Sequence, residues 1–159
     1  MNGRTGTIVY AAAVAALYAV LTLAVLPLSS GLVQCRFSEM LCVLPYVLDG
    51  AVPGLFVGCF LVNLLTGAPV YDVMFGSLAT LLAAVLTRLM RGRLPMWCAS
   101  IPGIVVNAPV IGAVLVFGYG IRIPYLMAVL YVAAGQTVSC GVLGTILLLA
   151  ISRFRKGIR

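Results

Sequence analysis

The chain has 159 residues, 64% of them hydrophobic and only 8% charged, with a net charge of +7 and no histidine. Mean hydropathy is +1.22, whereas a soluble domain carries about 25% charged residues, so an ordinary soluble fold is excluded. The nucleic-acid reading that a basic soluble protein would invite goes with it. The apolar runs are continuous rather than alternating, which points to membrane-spanning helices and not to a barrel.

Thr7 to about Pro27 forms the first predicted helix. Its apolar run is longer than the 7–15 residues of a signal-peptide core, and "PLSSG" is a poor cleavage site, so the segment is expected to be retained. A second segment, 38–48, opens after Gln34, Arg36 and Ser38 and ends in "PYVLDGAVPG", whose prolines, glycines and Asp49 read as a break. The third runs 52–65 and the fourth 72–90; the fifth, 95–117, carries Pro102, Asn107 and Pro109, and the sixth, 124–151, is the longest. Without the break, five helices would exchange the sides of Arg4 and Arg36; with it, residues 1–159 form a single all-α integral membrane domain of six transmembrane helices.

Positive charge marks the sides of the membrane. Arg88, Arg91 and Arg93 follow the fourth helix, and Arg153, Arg155, Lys156 and Arg159 follow the sixth. Cytoplasmic loops and tails collect such residues, so both clusters, Arg4 and both termini are expected inside, at the level of anionic lipid head groups. Arg36, Glu39, Asp72 and Arg122 then lie toward the outer face.

The second segment is unusual. From Glu39 to Leu48 a helix covers about 15 Å at 1.5 Å per residue, half of the hydrocarbon. It is either broken or short, or it carries Gln34, Arg36 and Glu39 into the membrane, where polar groups need a partner or a cavity. One reading is structural: Ser38 as N-cap, Glu39 against the helix dipole, and Arg36 paired with Glu39. The other is a binding site, since short interrupted segments are where carriers place their substrates.

Small residues spaced four apart occur in the first helix (Ala11, Ala15 and Ala19, beside Ala12 and Ala16), the fourth (Gly76, Thr80, Ala84) and the sixth (Ala133, Thr137, Gly141, Thr145). Such faces let helix backbones approach closely, within the bundle or against a partner. The five cysteines form no C-x-x-C pair and read as small buried side chains. With no histidine, no phosphate-binding loop and no activated nucleophile, neither an enzyme, a metal site nor a cofactor is implied, and any ATP hydrolysis falls to another chain.

The stretch from Val33 to Arg88 carries Gln34, Arg36, Ser38-Glu39, Leu44-Pro45, Pro53-Gly54-Leu55, Gly58, Asn63, and Asp72 with Gly76 and Ala79-Thr80-Leu81. In order and spacing it resembles the QueT family of queuosine-precursor carriers, substrate-binding (S) components of energy-coupling factor transporters. The likeness continues more thinly through "VVNAPVIGAVL". It implies a six-helix S component in a bacterial plasma membrane, loading its ligand from outside. Such a protein docks on a transmembrane coupling subunit with two cytoplasmic ATPases, through small residues of the first helix: Ala11, Ala15 and Ala19, or Ala12 and Ala16.

The implied ligand is a 7-deazaguanine: the cyano or aminomethyl precursor, or queuine. A guanine-like ring offers an N–H beside an amino group, two donors that one carboxylate can accept together, and Glu39 is the first candidate. Arg36, Gln34 or Asn63 could donate to the ring carbonyl, and Phe37, Tyr71 or Tyr119 could stack on its face. Asp72 could answer a positive aminomethyl group or take the acceptor role. Asn107 and Gln136 are either helix-to-helix hydrogen bonds or ligand contacts. Gln136 stands where the family pattern commonly has an acid, and Cys35 where it has phenylalanine, so one charge and one stacking surface are missing. Rival expectations are an S component for another vitamin-like solute, a proton-coupled carrier, and a scaffold subunit without a ligand.

Overall fold

The computed structural model describes residues 3–25 and 36–157. Those residues form six helices and no strand: α1 (Gly3–Ala24), α2 (Phe37–Tyr46), α3 (Ala51–Leu65), α4 (Asp72–Gly76 continuing as Ser77–Met90), α5 (Met96–Ser100, Ile101–Ala113 and Val114–Gly118) and α6 (Tyr125–Gln136, Thr137–Leu143 and Gly144–Gly157). The expected break does separate two helices, but it is confined to residues 47–50, with Pro45 inside α2 and Pro53 and Gly54 inside α3. Among the described residues, four helices are long and apolar enough to cross a membrane: Arg4–Ala24, Asp72–Met90, Met96–Gly118 and Tyr125–Phe154. The shorter Ala51–Leu65 is also apolar.

Packing begins with α1 and α3. Gly50, Gly54 and Gly58 stand four apart on α3 and its approach, and the missing side chains let α1 lie directly on the backbone. A Cβ at Gly54 would fall 2.6 Å from the Ala11 carbonyl oxygen and 2.9 Å from Val14 Cβ; one at Gly58 would meet Tyr18 Cβ at 2.9 Å and Ala15 Cα at 3.0 Å. Ala11 and Ala15 are thus engaged by α3, while Ala12 and Ala16 stay exposed and Ala19 is half-buried. A Gly54→Val substitution is expected to destabilise the bundle by at least about 1–3 kcal/mol, because the obstacle is backbone rather than a movable side chain. The check is a lowered melting temperature in detergent.

α2 is the central piece, packed against α1, α3, α4, α5 and α6. It is a 3-10 helix and not the α-helix expected over 38–48, with Ser38, Glu39 and the run from Leu41 to Pro45 buried. Pro45, inside it, has no N–H to give to an α-helical bond. At about 2.0 Å per residue its ten residues span about 20 Å, short of the roughly 30 Å of a bilayer's hydrocarbon, and Glu39 in its first turn is buried in the bundle.

Three longer helices contain π-helical turns, at the start of α4 (Asp72–Gly76), at the end of α5 (Val114–Gly118) and in the middle of α6 (Thr137–Leu143). Such turns are rare and often mark functional positions. Here Asp72 opens the first, Tyr119 follows the second and Gln136 precedes the third.

One end of the bundle is closed by an ion cluster, in which Asp49 Oδ1 accepts from Arg88 Nη2 at 2.6 Å and Arg91 Nη1 at 2.8 Å. Beside it Tyr46 donates its hydroxyl to the Leu94 carbonyl at 2.8 Å. The opposite end of α4 holds Asp72. The described cysteines, Cys42, Cys59, Cys98 and Cys140, are buried free thiols, in keeping with their apolar surroundings in the sequence.

Candidate functional site

Two buried polar clusters meet in the half of the bundle remote from Asp49. The first surrounds Glu39, which lies in the first turn of α2 and is 3% exposed. Its Oε1 accepts from the Tyr18 hydroxyl of α1 at 2.7 Å. Its Oε2 accepts from the Cys42 thiol at 3.0 Å and from Asn107 Nδ2 of α5 at 3.2 Å. One helical turn beyond Tyr18, Thr22 Oγ1 lies 2.9 Å from the Tyr18 carbonyl and 2.7 Å from Ser38 Oγ, tying α1 to the start of α2.

The second cluster surrounds Asp72, 1% exposed at the head of α4. Its Oδ2 accepts from Arg36 Nη2 at 3.1 Å and from the Tyr119 hydroxyl at 3.0 Å. Arg36 Nη1 reaches Asn63 Oδ1 of α3 at 3.4 Å, and Asn63 Nδ2 donates to the Asp72 carbonyl at 3.3 Å. The side chain of Asp72 folds back along its own helix, where a Cβ at Gly76 would stand 2.8 Å from Oδ1; the glycine is what leaves it room. Tyr119 sits just outside the membrane-spanning part of α5. Its phenol is pushed up to about 12, first by burial and then by the Asp72 charge, so it remains a donor throughout the physiological range.

This arrangement corrects the expected Arg36–Glu39 pair and the Ser38 cap. Arg36 itself is the cap residue of α2, with extended backbone (φ −84°, ψ 109°) and no capping side-chain bond. Its side chain therefore leaves α2 for Asp72, and Ser38 falls inside the helix to meet Thr22.

Between the clusters is a recess lined by Arg36, Glu39, Gly76, Thr80, Asn107, Ile111 and Gln136, with a volume of about 10 Å³, room for one water molecule. Among the described residues, burial has left three oxygens around the clusters without a hydrogen-bond partner: Asp72 Oδ1, Asn107 Oδ1 and Gln136 Oε1. All are acceptors, and a buried acceptor left unpaired is costly. The charges are unevenly matched as well. Arg36 pairs with Asp72, whereas Tyr18, Cys42 and Asn107, the donors to Glu39, are neutral groups.

Of the residues expected from the sequence, Arg36, Glu39, Asn63, Asp72, Asn107 and Gln136 are brought together. Tyr71 is not: it is 56% exposed and borders a separate open groove of about 670 Å³ with Phe75, Val110, Phe117 and Tyr125. Phe37 is half-buried and is not among the residues lining the recess. Gln34 and Cys35 lie outside the described residues. Tyr119 belongs to the site as a hydrogen-bond donor to Asp72, where a stacking role was expected. Tyr18 and Thr22 were missed, although the signal was present, since they are polar groups four apart on one face of an otherwise apolar helix.

Compared with known proteins, the chain matches the family model described as QueT transporter over residues 8–153, a span that contains both clusters. No curated protein and no solved structure matches it.

Proposed function

The chain belongs to the QueT transporter family, which makes it a membrane-embedded transport protein, and from that premise we propose that it is the substrate-binding component of an energy-coupling factor importer. Its ligand is a queuosine precursor of the 7-deazaguanine class, taken from the outer side. The observation that carries this reading is the recess itself: acceptor oxygens without partners among the described residues, next to a guanidinium, within a mostly apolar bundle. Ring N–H and amino groups supply the missing donors, and the Arg36 guanidinium, with five N–H groups, supplies a donor for the ring carbonyl. Glu39 keeps acceptor capacity on Oε1, which has taken only the Tyr18 hydroxyl among the described bonds.

A water-sized recess has to widen before a bicyclic ring fits, so binding displaces the side chains now closing it. Isothermal titration of the detergent-purified chain with the aminomethyl and cyano deazaguanines, queuine and guanine is the test. Saturable binding of at least one deazaguanine, tighter than guanine, is expected. Heat signals indistinguishable from dilution for all four overturn the assignment.

The same reading puts the Asp49 end in the cytoplasm, with Arg88, Arg91 and Arg93, and a coupling subunit bearing two ATPases beside α1. Because Ala11 and Ala15 are occupied by α3, the docking face is the exposed one that holds Ala12 and Ala16. Ala16→Leu is therefore expected to prevent co-purification with the coupling subunit and to leave ligand titration unchanged. A full yield of complex from that variant counts against this face.

A further inference from the structure

We infer that Asn107, held in place by Glu39, is the residue that selects the amino group on the donor edge of the ligand; the inference rests on reading the recess as a binding site for a flat nitrogen heterocycle. Asn107 is 2% exposed and lines the recess from α5. A side-chain amide can ordinarily be turned over without changing its shape. Here the chemistry forbids it. Nδ2 faces Glu39 Oε2 at 3.2 Å, and a carboxylate can only accept, so the reversed amide would set two acceptors against each other. Oδ1 is thereby fixed as an acceptor with no partner among the described residues.

Glu39 alone cannot do this work. A side-by-side pair of ring donors needs one free lone pair on each of two adjacent oxygens, but Oε2 already receives both the Cys42 thiol and Asn107. Asn107 Oδ1 is the free acceptor attached to that same network. It takes the exocyclic amino group while Glu39 Oε1 takes the ring N–H, and Gln136 Oε1 adds a further unpaired acceptor from α6. Glu39 is then both a ligand acceptor and the positioning residue of Asn107. Sites built to hydrogen-bond a polar group reject analogues that lack it far more strongly than apolar pockets reject a missing methylene.

The test compares 7-deazaguanine with 7-deazahypoxanthine, the same ring without the amino group, by titration of the full chain in detergent. Wild type is expected to favour the amino-bearing ring by roughly 100-fold or more. Asn107→Leu should lose about 100-fold in affinity for 7-deazaguanine, the scale of such a rejection, and fall to under about threefold discrimination, the ring then being bound without reference to its amino group. Asn107→Asp should keep discrimination within about tenfold of wild type, because two adjacent carboxyls share a proton: the introduced group donates to Glu39 and still turns an oxygen to the recess. Glu39→Gln, by freeing Asn107 to turn over, should cut discrimination to under about tenfold even where binding survives.

A folded Asn107→Leu protein that discriminates like wild type overturns the inference. Should that variant not fold, loss of discrimination in folded Asn107→Asp does the same. Equal wild-type affinity for the two rings refutes the role of Asn107 alone, whereas no wild-type binding of either ring removes the binding-site reading and this inference with it.

Discussion

Arg36→Met will lower stability by about 3–5 kcal/mol, the cost of removing one member of a buried ion pair, seen as a large fall in melting temperature in detergent. The reason lies with the partner. Asp72 is almost wholly inaccessible, its Oδ2 is held by Arg36 and the Tyr119 hydroxyl, and its Oδ1 already lacks a donor. Without Arg36 the carboxylate is a buried charge facing one phenol. The double variant Arg36→Met with Asp72→Asn should regain most of the loss, because no charge then remains to be desolvated. Arg36→Lys should fall between, since an ammonium is a point charge and cannot span Asp72 and Asn63 as the guanidinium does. A melting temperature for Arg36→Met equal to wild type would show that the pair contributes nothing to the fold.

Glu39→Gln is expected to reduce ligand affinity by about 10- to 200-fold, from the roughly 1.5–3 kcal/mol carried by a hydrogen bond to a charged group. Tyr18, Cys42 and Asn107 all present hydrogens to the two carboxylate oxygens. An amide offers one oxygen and one NH₂, so at least one of those donors has to turn over or lose its acceptor. The damage is confined to a site whose shape is kept, and the titration should show weaker binding with little change in melting temperature. Affinity within about threefold of wild type, too little to be even one such bond, would move Glu39 to a purely structural role.

Much of the fold was legible in the sequence because a membrane simplifies the signal. Long apolar runs bounded by Pro, Gly and Arg can be little other than helices, and the ten residues around Asp49 break the second run visibly. The winding of α2 was not legible, since nothing in "FSEMLCVLPY" chooses between 3-10 and α locally, Pro45 lacking the N–H for a bond of either kind; α2 is wound amid five surrounding helices that the local sequence does not show. At the site, rarity did the work. Arg36, Glu39, Asn63, Asp72, Asn107 and Gln136 were conspicuous as polar residues in apolar helices, and burial brought them together. The pairing of those groups was not readable from spacing. Arg36 and Glu39, three apart, suggested each other, but an extended cap residue sends its side chain elsewhere. Tyr18 was overlooked because a tyrosine in a transmembrane helix suggests the interfacial belt before it suggests a carboxylate partner. The small-residue stripe on α1 left open whether a partner or a neighbour within the bundle would use it; the glycines that meet Ala11 and Ala15 sit on α3, about forty residues later in the chain.

The pitch of α2 sets how far its polar end reaches through the bundle. Wound as it is, its ten residues extend about 20 Å; rewound as an ordinary α-helix they would extend about 15 Å. The difference is about 5 Å of reach. That added length lets one short element place Glu39 beside Tyr18 of α1 and send Arg36, at its cap, to Asp72 of α4, while Val43 and Leu44 stay buried further along it.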